Sequence, residues 1–108
     1  MQIVYGLNIN EVNYLVMDVN EALMNGESVR MMSAYKQGIG ADRVLFMDMV
    51  HGTVIAIYNA DGHNVTPDMS DFQAAKAVAS GTQCLEYHVT DYYLSTIAAD
   101  KEIMKAAC

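Results

Sequence analysis

Basic side chains are scarce in this chain. Six Lys and Arg stand against thirteen Asp and Glu in 108 residues, a formal net charge of −7. That balance argues against a nucleic-acid partner, because phosphate binding needs clustered Lys and Arg. Long apolar runs are missing too. None approaches the roughly 18 residues of a membrane span, so no membrane partner is expected. The start, Met1-Gln2-Ile3-Val4-Tyr5, lacks the basic stretch of a secretory signal, and the expected location is cytoplasmic. Cysteine occurs twice, at Cys84 and Cys108. Their spacing matches no zinc motif, and a structural disulfide is not expected. His51, His63 and His88 are spread apart without ligand spacing. No Walker loop, dinucleotide fingerprint or Ser/His/Asp set is present. No metal and no cofactor is therefore expected.

What is present is apolar. Hydrophobic residues make up 53% of the chain and charged residues 18%, too apolar for a disordered segment. The length suits one domain, residues 1–108, with a modest core. Acidic residues are scattered, as on a solvated surface, though such a surface also suits docking on a basic protein.

The stretch Gly38 to Gly62 organises the rest. Two glycine-rich turns, Gly38-Ile39-Gly40-Ala41-Asp42 and Asn59-Ala60-Asp61-Gly62, bracket two apolar runs, Val44 to Val50 and Thr53 to Tyr58. With His51-Gly52 between them, the runs predict an antiparallel hairpin.

Upstream, residues 2–7 predict a strand, and Asn8-Ile9-Asn10 a turn. Val12 to Val19 predicts a second strand. Val12, Tyr14 and Val16 fall on one face, and Leu15, Met17 and Val19 on the other, so both faces are expected to be covered. Glu27 to Gln37 predicts a helix through Val29, Met32 and Tyr35, stopped by Gly38. Downstream, Thr66 is the expected N-cap, with Pro67 in the first turn, of a helix from Asp68 to Ser80. Thr82 to Leu94 fits a helix or a strand. Ser95 to Ala107 predicts a final helix.

The two turn motifs, at this separation and around a hairpin, resemble the diaminopimelate epimerase family, in particular its N-terminal half. The opening is similar as well: Gly6-Leu7 and Tyr14 to Asp18 match, and Asn10-Glu11 is the first choice for the family's Asn-Asp, ahead of Val12-Asn13. The resemblance implies an α+β fold, a mostly antiparallel sheet wrapped around a central helix, with Asp68–Ser80 the first candidate for that helix. It implies substrate contacts at Asn59 and Asn10. Turn chemistry is an equally good reading of Asn59, whose side chain can bond its own backbone.

The family's chemistry needs a cysteine thiolate at a helix N-terminus to remove a proton from an amino acid's α-carbon, and a second cysteine from the other half of the enzyme to return one. Here the first cysteine falls on Asp68 without gaps, on Ser70 with two extra residues, or on Val78 with ten. Cys84 is a weak catalytic candidate, better read as a small buried hydrophobe. Arg43 is read as a solvated surface residue in preference to an anion contact. The resulting expectation is a catalytically silent single-domain relative that binds or inhibits another protein, self-associates as a dimer, and fits a phage or mobile-element setting. A cofactor-independent amino-acid isomerase and a non-catalytic small-molecule binder are the alternatives.

Overall fold

The computed structural model describes residues 2–19, 26–34, 39–81, 85–89 and 103–107. They form a small α+β domain. The elements in order are β1 (Gln2–Ile9), β2 (Val12–Asp18), α1 (Gly26–Ser33), β3 (Arg43–Asp48), β4 (Thr53–Asn59), α2 (Met69–Ala79), β5 (Leu85–Val89) and β6 (Ile103–Ala107). The strands make one mixed sheet in the order β4-β3-β2-β1-β5-β6. Only β2 and β3 run parallel, joined through α1; the other neighbours are antiparallel.

The β1–β2 hairpin closes on Asn10 and Glu11, both with positive φ (51° and 68°). Two consecutive left-handed residues match the right-handed twist of a two-residue hairpin. From Val12 onward the alternation of β2 unfolds as its sequence requires. Leu15 and Met17 enter a core with Val4, Val44, Phe46 and the α1 residues Val29 and Met32. Tyr14 and Val16 enter a second core with Leu7, Leu45, Met47, Ile57 and the α2 residues Ala74, Ala75 and Val78. Each face of the sheet thus has its own helix. Strands buried on both faces read as nearly continuous apolar runs, as β2 and β3 do.

The expected hairpin is present as β3 and β4, with the turn at Met49–Gly52. Its register shifts between Phe46 and Met47: Ala56 pairs with Phe46 and Val54 with Met47, leaving Ile55 as the extra residue. Side chains alternate along a strand, so this bulge moves Val54 off the face shared by Ala56 and Tyr58 and onto the α2 face.

Several expectations are corrected. The helix α1 ends at Ser33, and Ala34 already lies outside it, short of the expected Gln37. Its last carbonyls find partners beyond the helix: Met32 accepts from the amides of Ile39 and Gly40, and Ser33 from that of Ala41. The N-cap of α2 is Asp68, not Thr66, so Pro67 precedes the helix. Ile103–Ala107 is a strand, not the end of a helix, and Leu85–Val89 takes the strand alternative for its segment. Tyr35, Gly38 and the stretch 90–102 lie outside the described residues. No helix among the described residues is long and apolar enough to cross a membrane.

One backbone contact joins the two faces' connections. Gly62, at φ 83°, lies against the backbone of Gly26 at the start of α1, so close that a Cβ on either glycine would collide with the other's carbonyl. Gly52, at φ 68°, has open space around it. Alanine at Gly52 therefore carries only the left-handed penalty of about 1–2 kcal/mol, whereas alanine at Gly62 carries that plus the collision. We expect Gly62→Ala to lower the melting temperature clearly more than Gly52→Ala in parallel thermal scans; equal losses would remove the Gly26–Gly62 contact from the account.

Candidate functional site

One end of the sheet gathers most of the polar residues singled out by sequence. The register sets Leu7, Tyr14, Arg43 and Asn59 in a row across β1, β2, β3 and β4. The Asn10-Glu11 turn closes the same end, and the first turn of α2 lies over it. Asp71, on that turn, is fully buried.

The Asp71 carboxylate accepts four hydrogen bonds. Its Oδ1 accepts from the Tyr14 hydroxyl at 2.9 Å and from Arg43 Nε at 2.8 Å. Its Oδ2 accepts from Arg43 Nη2 at 2.7 Å and from the Asp68 amide at 2.8 Å. Asp68 reciprocates, its Oδ1 accepting from the Asp71 amide at 3.1 Å, which completes a capping box. A carboxylate offers about four lone-pair positions, so Asp71 has none left for a ligand. Burial alone would raise the Asp71 carboxyl, but the bonds from Arg43, Asp68 and Tyr14 outweigh it and hold the group below its usual range. Burial, then the bond to Asp71 and its negative charge, push the Tyr14 phenol up. Burial disfavours the Arg43 cation, yet Asp71 more than compensates and raises it. Arg43 is thus an internal partner of a carboxylate, not a solvated surface residue.

Asn59 is committed to its own loop. Its Oδ1 accepts from the amides of Asp61 and His63, each at 3.0 Å. Its backbone oxygen accepts from Gly62, and its amide donates to His63. Only its Nδ2 group is left over from that loop. Asn10 is exposed at φ 51° in the hairpin turn. It shares the sheet end with Asn59, but β2 and β3 lie between them, roughly 10–15 Å at ordinary strand spacing. Ser70 and Val78 lie on α2, Val78 in the core. Cys84 and Cys108 lie outside the described residues.

The Gly38–Asp42 motif is also structural where described. Asp42 donates its amide to the Asn13 carbonyl and accepts from the Asn13 amide through Oδ2 at 2.9 Å, tying the entry of β3 to β2. At the opposite sheet end, His51 Nδ1 meets Asp48 Oδ2 at 2.7 Å, while Asp48 Oδ1 accepts from the Val50 and His51 amides. The His51 contact, then those amides, lower the Asp48 carboxyl. Among the described residues no group of three or more His, Cys, Asp or Glu is arranged to hold a metal.

Sequence reasoning missed Tyr14 and Asp71 as partners. The available signal was Asp68-Met69-Ser70-Asp71, an acidic pair at capping-box spacing ahead of apolar helix positions. No family model and no curated protein matches the chain. The likeness to diaminopimelate epimerases thus rests on the motifs alone.

Removing one partner of a buried pair leaves the other charge uncompensated, at a cost of about 3–5 kcal/mol. We expect Asp71→Asn to destabilise by that order in chemical denaturation, and Tyr14→Phe by about 1–2 kcal/mol. Because the Asp71 carboxyl is lowered on folding, its contribution is fully present above the ordinary carboxylate value of about 4 and disappears as pH falls through that value toward the lowered one. Stability measured from about pH 6 down to pH 3 should fall less steeply in Asp71→Asn than in the parent. An unchanged slope would show that other carboxylates carry the acid limb.

Proposed function

We propose that this chain is a catalytically silent relative of diaminopimelate epimerase, on a scaffold akin to one half of that fold, and that it works by binding protein. The observation that carries this reading is the state of the first turn of α2. The resembling family needs a thiol at a helix N-terminus, with free amides beside it to take a substrate carboxylate. In the ungapped correspondence that thiol position is Asp68. Asp68 caps the helix through the Asp71 amide, and Asp71 returns the bond to the Asp68 amide. Two carboxylates therefore occupy the place of an incoming carboxylate, which they would repel by on the order of 1–4 kcal/mol each at contact distance near a surface. Asp71 cannot serve as the proton acceptor either, since its carboxylate is saturated.

The motifs that carry the likeness support the scaffold half of the reading. Both stand beside β3 and β4, with the Asn59 loop and the entry to β3 at the sheet end over which α2 begins. Their turn chemistry has outlasted the proton-transfer chemistry the family performs.

The test is solvent exchange. The purified chain in deuterium oxide, incubated with each stereoisomer of diaminopimelate, should leave the α-carbon protons in place by NMR. The same diamino acids should leave its melting temperature unshifted. Deuterium incorporation lost on Cys84→Ala would establish an isomerase instead, and a melting shift without exchange would establish a small-molecule binder.

A further inference from the structure

The outward side of α2 is unusual for an acidic domain. Met69 is 77% exposed and Phe72 53% exposed, and Lys76 and Ala79 are exposed on the same side. Positions 69, 72, 76 and 79 follow the three-four spacing that lines up one helix face. Beside this stripe runs an open groove of about 470 Å³ between α2 and the start of β4, with Thr53, Val54, Phe72, Ala75 and Lys76 along it. Ala75 and Val54 also belong to or pack against the core under α2, so the groove continues that core to the surface. Lys76 has no carboxylate within ion-pair distance among the described residues.

We infer that this face is the contact between two copies of the chain, with the two α2 helices antiparallel across a twofold axis near Phe72. The argument is the charge arrangement along the helix. Asp68 lies four residues before Phe72 and Lys76 four residues after it, about 6 Å either way along the axis. A twofold axis at Phe72 turns one helix end for end. It brings each Lys76 level with the partner's Asp68, twice over, and sets Phe72 beside the partner's Phe72. Met69 comes level with the partner's Ala75, at the groove. A parallel pairing would instead set Lys76 against Lys76 and Asp68 against Asp68. The helix is thus complementary to itself in one orientation only. The bulge at Ile55 interrupts the β4 edge, which makes strand-to-strand pairing there a poorer route to self-association.

A contact made through one face of a three-turn helix should bury less than the roughly 800 Å² per partner of a standard interface, so the dimer should be weak, with dissociation in the micromolar range or above. Naming the partner as a second copy rests on the reading of the chain as a binding domain. Solution mass and solvent exchange fail separately, however, since a monomer can be catalytically silent and a dimer can be active. Sedimentation equilibrium across about 5 µM to 1 mM should show the mass of the parent rising from one chain toward two. Phe72→Glu should remain monomeric throughout with its melting temperature retained, because Phe72 is half-exposed and outside both cores. Lys76→Glu should weaken association at least about tenfold. Adding Asp68→Asn, which keeps a competent N-cap, should recover part of that loss. A monomeric parent at every concentration would overturn the proposal. So would a Phe72→Glu dimer as tight as the parent's, or a Lys76→Glu defect that Asp68→Asn leaves untouched.

Discussion

A fully buried carboxylate is tolerable only if every lone pair is met, and Asp71 is met from three elements at once. Tyr14 reaches it from β2, Arg43 from β3, and the Asp68 amide from the start of its own helix. The first two are neighbours because β2 and β3 run parallel in a register that sets Tyr14 beside Arg43. That register depends in turn on the crossover through α1. A buried ion pair is weak evidence for net stability, since desolvation offsets much of the attraction. Its stronger effect here is on placement. The buried side of α2 is mostly small, with Ala74, Ala75 and Val78, and small apolar contacts alone would permit sliding along the sheet. The Asp71 anchor sets where the helix begins and which turn it presents to the sheet end.

The two turn motifs serve the same framework. Asp42 ties the entry of β3 to Asn13 of β2, and Asn59 folds its own loop while Gly62 lies against the backbone of Gly26. The polar groups at this sheet end are therefore largely spent on one another. A site that has used its donors and acceptors internally is a joint, and chemistry on an outside molecule needs unspent ones. On the far side of α2, Met69, Phe72 and Lys76 meet solvent. The side of α2 toward the sheet is structural, and its opposite side is the face proposed above to meet a second copy.

Parts of this arrangement were legible in advance because they depend on local pattern. Two-sided cover of β2 followed from apolar residues at both parities. The β3–β4 hairpin followed from two β-rich runs with a glycine turn between them. A helix over about Asp68 to Ser80 followed from local sequence, and it spans Met69–Ala79. One error was local and two were not. Thr66 and Asp68 are both acceptable caps, and the capping box with Asp71 decided between them. The stretch ending at Ala107 carries alanine and methionine, which favour a helix in isolation, yet it pairs with β5 because strand pairing outweighs weak intrinsic preference. Arg43 looked like a surface cation because nothing nearby in the chain is its partner; Asp71 lies 28 residues on.

By itself, the amino-acid order determined the parity of β2, the hairpin, the Asn59–Gly62 turn and the presence of a helix near Asp68 to Ser80, because each of these is set by residues within a few positions of one another. Only the tertiary structure decided that the sheet is mixed, that a helix covers each face, and that Tyr14, Arg43 and Asp71 share one carboxylate. Those facts arise from contacts across 28 to 57 residues of chain, and burial rather than spacing selects them.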